Sequence, residues 1–149
     1  MAYKDLQEFV DILEREGELV RIKTQVDAEL EITEIADRVS KAYGPALLFE
    51  NVRGYDIPVL INAFGSTKRM AMSLGVDRID DVAEDIVGFM EIADQVPQST
   101  LDKVKLLPKL AQVAKFIPRL VRQGSCQEVV EKNPSLNALP VLKCWPEDA

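Results

Sequence analysis

The 149-residue sequence contains no histidine. That absence removes the Ser-His and Cys-His pairs of nucleophilic catalysis. It also removes any imidazole that would bind a metal or act as a base near neutral pH. Cysteine is scarce: Cys126 and Cys144 stand 18 positions apart, with no second pair to complete a zinc site. In a chain of this composition they are expected to be reduced and separate. No apolar run approaches the ~20 residues of a membrane span. The opening MAYKDLQEF lacks the apolar core of a secretory signal, so the cytoplasm is the expected compartment. Positive charge is also in deficit. The net charge of −7 argues against general affinity for nucleic acid.

What is present is ordinary globular material, 47% hydrophobic and 29% charged. The pattern alternates between helical and extended periods. Leu6, Phe9, Val10 and Leu13 share one face of a helix expected over Asp5 to Glu16, with Gly17 as its terminator. Leu19 to Thr24 alternates, Val20 and Ile22 against Arg21 and Lys23, as a half-buried strand. Helical spacing returns from Leu30 to Tyr43 and is stopped by Gly44-Pro45. Ala46 to Phe49 and Pro58 to Ala63 read as two further short strands. Gly65-Ser66 opens another helix, ended by Gly75, and a longer one is expected from Asp77 or Asp80 to about Asp94. Helices interspersed with three short strands predict an α/β (α+β) fold with a small mixed sheet.

The remainder differs in composition. Residues 101–122 carry six cations (Lys103, Lys105, Lys109, Lys115, Arg119, Arg122) against Asp102, a local balance of +5; all other residues together carry −12. Pro108 and Pro118 interrupt this helical pattern, so 98–125 reads as a helical connector with a hinge at Gln123-Gly124-Ser125. Cys126 to Val130 reads as a new strand. Leu139, Val141, Leu142 and Trp145 then look like the approach to a core that the chain never reaches.

Five groups of residues invite a chemical reading, and each has a structural one. Gly65-Ser66-Thr67-Lys68-Arg69 precedes a helix and offers backbone N–H groups and two cations to a phosphate. It lacks the P-loop spacing, and the alternative is a Ser-capped helix start with solvated basic residues. Asp80, Asp81, Glu84 and Asp85 pair carboxylates at i, i+4 but fall opposite the apolar stripe, as a solvated face does. Glu29, Glu31 and Glu34 complement the dipole at a helix start. Basic residues Lys109, Lys115 and Arg119 suit an acidic partner or an anionic membrane, or an ordinary surface or docking helix. Cys144 beside Trp145 has only Lys143 as a neighbouring cation, which favours a buried, inert thiol. No catalytic, cofactor-binding or metal residue is assigned.

Four stretches taken together carry a resemblance: LQEFVDILEREGELVRIKTQVDAELEITEIADRV, GPALLFENVRGYDIPVLINAFGSTKRMAMSLG, CQEVV and LPVLKCWPEDA. In order and in content they resemble the UbiD family of decarboxylases. The resemblance implies a protein about three times longer, with an N-terminal α/β domain, a central flavin-binding split β-barrel and a C-terminal domain that supports oligomerisation. It implies residues 1–97 as the N-terminal domain and 126–149 as the start of a truncated central one, including its first strand. The implied activity is non-oxidative decarboxylation of aromatic or α,β-unsaturated acids. Prenylated FMN, Mn²⁺ and K⁺ are the implied cofactors, and a flavin prenyltransferase is the implied supplier of the flavin. The implied partners are the remaining domains and, in the longer protein, further copies of it; ubiquinone-pathway members act on a prenylated 4-hydroxybenzoate. The family's catalytic Glu-Arg-Glu set and metal ligands have no counterpart here, so this chain alone is expected to be inactive, as a supporting or lid domain. The alternative is a naturally short, non-catalytic binding module that uses the basic helix 109–119.

Overall fold

The computed structural model describes residues 3–94, 118 and 120–148. They fall into two compact units, one formed by Met1–Ile79 with Ser135–Ala149, the other by Asp80–Pro134.

The first unit is a mixed three-stranded sheet between helices. Its elements run α1 (Leu6–Arg15), β1 (Leu19–Ile22), α2 (Glu31–Lys41), β2 (Ala46–Phe49), β3 (Val59–Ile61) and α3 (Thr67–Leu74). β1 and β2 are parallel and joined through α2; β3 returns antiparallel to β2. β2 is therefore central, and its unbroken apolar run ALLF is buried at every position, as expected of a strand covered on both faces. The two-residue period then sorts the core. Ala46 and Leu48 meet Phe9, Val10 and Leu13 of α1. Leu47 and Phe49 meet Ile32 of α2 together with Val26, Ala28 and Val52. Arg21 lies on the α1 side, where its guanidinium grips Glu14 through two nitrogens at 2.8 Å and reaches Glu50 at 2.7 Å.

Helix ends follow local chemistry. Asp5 caps α1 by accepting the Glu8 N–H at 2.9 Å, and Ser66 caps α3 by accepting that of Arg69 at 3.1 Å. All three helices finish in the same pair of reversed hydrogen bonds around a left-handed residue. For α1 and α3 that residue is glycine, Gly17 at φ 71° and Gly75 at φ 68°. For α2 it is Tyr43 at φ 54°, with Gly44 N–H reaching Val39 O at 2.8 Å. The sequence pattern points to Gly44-Pro45 as the stop; the turn is made one residue earlier, by a tyrosine.

The last segment of this unit contains a short 3₁₀ turn, Leu136–Ala138, and then a single parallel rung between Lys143 and Glu29. Leu142 packs against the α2-side core. Leu139, Val141 and Trp145 remain 48%, 71% and 67% exposed, so the apolar run is anchored at one residue and bare at three.

In the second unit, α4 spans Ile79–Asp94. Ile86, Val87 and Met90 on it are more than half exposed. The expected strand at Cys126 to Val130 does not form. Ser125–Gln127 is a 3₁₀ turn, because the Gln127 N–H bonds back to Gly124 O at 2.9 Å while its side chain accepts the Gly124 N–H at 3.0 Å. Val129 and Val130 are left 82% and 72% exposed. Among the described residues no helix is long and apolar enough to cross a membrane.

Candidate functional site

The first unit carries an open groove of about 1170 Å³ along α2. One wall is the α2 surface from Leu30 to Lys41, the second is the end of β3 at Ile61 and Asn62, and the third is Cys144-Trp145-Pro146. The single rung at residue 143 creates the third wall. Lys143 N–H donates to Ala28 O at 3.2 Å, and Leu30 N–H donates to Lys143 O at 3.0 Å. Lys143 Nζ pairs with Glu29 at 3.0 Å. A turn then folds over Asp148, whose carboxylate accepts the N–H groups of Cys144 and Trp145 at 3.0 and 2.9 Å. That turn faces Cys144 outward. The thiol is exposed, and the buried, inert cysteine expected from sequence is not found.

The groove is lined with carboxylates, Glu29, Glu31, Glu34 and Asp37, with Lys41 as the cation of the lining. Most of this charge is locally answered. Glu34 pairs with Arg38 and Asp37 with Lys41, while Glu31 accepts the Asp27 N–H at 2.7 Å. Glu31 and Glu34 occupy the first turn of α2, as the dipole reading expects.

Beside the groove, Asn62 stands in the left-handed region at φ 57° and donates to the carbonyls of Gly44 and Pro45 at 3.2 and 2.9 Å. Next to it is a cluster built on Arg69, which is 1% exposed. Arg69 donates to Glu18 at 2.9 Å and to Gly44 O at 3.0 Å, and Lys68 reaches the other oxygen of Glu18 at 2.9 Å. Hydrogen bonds from Lys68 and then Arg69 hold the Glu18 carboxyl below its ordinary value, against the opposing effect of partial burial. Gly65 fits here because a Cβ would stand 1.8 Å from Asn62 Oδ1. The phosphate reading of Gly65 to Arg69 is therefore overturned. Both cations already face a carboxylate, and Arg69 is core rather than surface.

The remaining candidates stay apart. Asp80, Glu84 and Asp85 are exposed and Asp81 half-buried on α4. Among the described residues no group of three potential ligands is placed to hold a metal ion. Cys126 is exposed and free. Residues 109–117 and Arg119, which carry the basic-helix reading, lie outside the described residues. Sequence reasoning missed Leu30, Asn62 and the Glu18–Arg69 pair. The only hint was Gly65, since a glycine before a helix marks a close approach as readily as a turn.

A helix, a sheet edge and a one-rung tail make a groove without a convergent catalytic set. Comparison with known proteins identifies the architecture. Residues 10–86, just over half of the chain, match the model of the 3-octaprenyl-4-hydroxybenzoate carboxy-lyase N-terminal domain. The chain belongs to the UbiD family. An uncharacterised protein of Archaeoglobus fulgidus is 46% identical over 149 residues, covering all of this chain and 30% of that protein. The chain thus spans about 30% of the length of the curated relatives it matches. Among solved structures, vanillic acid decarboxylase from Sedimentibacter hydroxybenzoicus in its closed form aligns with 95% of this UbiD chain and 27% of its own, at 28% identity and TM-score 0.63. The UbiD-class enzyme HmfF from Pelotomaculum thermopropionicum, an evolved dimeric form in complex with prFMN, aligns with 64% of the chain and 21% of its own at TM-score 0.52 and 28% identity.

Proposed function

We propose that this chain is the N-terminal supporting domain of a prenylated-FMN-dependent decarboxylase of aromatic or α,β-unsaturated carboxylic acids, and that the reacting groups belong to domains beyond it. The observation that carries this reading is the match of residues 10–86 to the family's N-terminal domain, on a chain that spans about 30% of the length of its relatives. Residues 126–149 would lead into the flavin-binding domain, and residues 1–97 would form part of the wall or lid of its cleft. Oligomerisation and delivery of flavin by a prenyltransferase belong to that longer protein.

The described residues of the first unit do not fit the cofactor or its metal. A flavin phosphate needs free cations or convergent N–H groups; the groove presents Glu29, Glu31, Glu34 and Asp37 instead, and Lys68 and Arg69 are engaged by Glu18. A divalent metal needs several carboxylates or imidazoles in one place, and no such cluster exists among the described residues. No chemical step is assigned to these side chains.

The test is direct. The 149-residue chain, incubated with prenylated FMN and gel-filtered, should carry no flavin absorbance and release no CO₂ from aromatic acids. A longer polypeptide of the relatives' length, made with the same cofactor, should do both. Stoichiometric flavin on the 149-residue chain would reverse the assignment.

A further inference from the structure

The start of α2 is wound the wrong way. Leu30, the residue before its first turn, has φ 65° and ψ −31°. Glu31 N–H bonds to Glu29 O at 2.8 Å across it, which makes Leu30 the centre of a γ-turn of the rare, strained hand. A branched side chain is disfavoured there because its Cβ crowds the backbone. Leu30 gains no deep burial in exchange, and no side chain caps the helix at this point. Strain of this kind persists only where the surroundings over-determine it.

The surroundings here are the tail. Leu30 N–H donates to Lys143 O, and Lys143 N–H returns a bond to Ala28 O two residues earlier. The Thr33 hydroxyl lies 3.0 Å from Leu30 O and 3.2 Å from Lys143 O, so its one proton serves both sides of the junction. The Lys143 Nζ–Glu29 ion pair at 3.0 Å spans the same junction. Leu142 is the tail's apolar anchor, and its neighbours Val141 and Trp145 are exposed. The turn has local bonds as well, with Asp27 O accepting the Ile32 N–H at 3.2 Å and the Asp27 carboxylate the Glu29 N–H at 2.9 Å; the tail adds the bond to the Leu30 N–H itself.

We propose that residues 142–145 are a detachable strap that holds Leu30 in its high-energy conformation, so that docking and release of the strap switch the N-terminus of α2 between two states. Docked, Cys144, Trp145 and Pro146 wall the groove. Released, Leu30 relaxes to negative φ, Thr33 keeps only its bond to Leu30 O, and the groove loses that wall. Whatever captures Trp145 therefore sets the start of α2. The inference rests on this junction alone and not on the decarboxylase reading.

Hydrogen exchange on the intact 149-residue chain tests it, with acrylamide quenching of the single tryptophan as a second readout. The Leu30 and Lys143 amides should exchange together and at least about a hundredfold faster than those of β2, as a local opening does. Leu30→Gly removes the strain and should slow both amides about five- to tenfold relative to β2. Thr33→Val keeps the shape but not the shared proton; it should speed both amides about fivefold and increase quenching of Trp145. The β2 amides report any change in global stability, and if Leu30→Gly disturbs folding, Thr33→Val decides. The proposal is overturned if Leu30 and Lys143 open only at the β2 rate, if they exchange independently, or if neither variant moves them relative to β2.

Discussion

Tyr43 shows how much a single residue can concede to its position. It occupies the left-handed place that ends α2, is 89% exposed, and does there what Gly17 and Gly75 do for α1 and α3. Tyr43→Gly should raise the unfolding free energy by about 0.5–1 kcal/mol, the left-handed penalty less the entropy that glycine adds to the unfolded chain; urea unfolding measures it. Glu18 makes a second residue-scale case. Its folded-state carboxyl is held below its ordinary value by Lys68 and Arg69. Its stabilisation is therefore complete above that ordinary value and disappears as pH falls through the lower, folded one. Stability measured from pH 7 to 2 should decline in acid, and Glu18→Gln should flatten that part of the decline while lowering stability at pH 7. An unchanged acid limb would show that other carboxylates dominate.

At the scale of elements, β2 and the helix caps account for why the small sheet holds. Phe49 is fully buried in the central strand among Val26, Ile32 and Val52. Phe49→Ala should cost about 3–5 kcal/mol, the transfer loss plus the cavity left behind, which approaches the whole stability of a small unit. Asp5→Ala should cost about 1 kcal/mol through the lost cap on α1. Thermal melts of the two variants should differ in that order, and equal shifts would mean that α1 docks independently of the sheet.

For the molecule as a whole, charge sets behaviour more than shape does. A formal net charge of −7 and an isoelectric point near 4.7 from composition favour dispersion at neutral pH through self-repulsion. The exposed Leu139, Val141 and Trp145 favour association against that repulsion. Light scattering should peak near pH 4.7, and Trp145→Ser should lower the peak without moving it. A peak insensitive to the substitution would place the association surface elsewhere, for example on Ile86, Val87 and Met90 of α4.

The sequence by itself determined the order of elements from α1 to α4. Leu6 to Leu13 carry the helical period, Ala46 to Phe49 the unbroken run of a strand covered on both faces, and Asp5, Ser66, Gly17 and Gly75 the helix limits, because each of these signals is local. It also carried the family, in stretches such as GPALLFENV and LPVLKCWP. Tertiary structure decided the rest, because it depends on residues far apart in the chain. Lys68 and Arg69 look like surface cations until Glu18, some fifty positions away, engages them both. Cys126 to Val130 has the composition of a strand, but Gln127 turns it back on Gly124. Leu30 reads as the first apolar residue of a helix; the fold brings Lys143 back across more than a hundred positions to accept its N–H beside a left-handed turn.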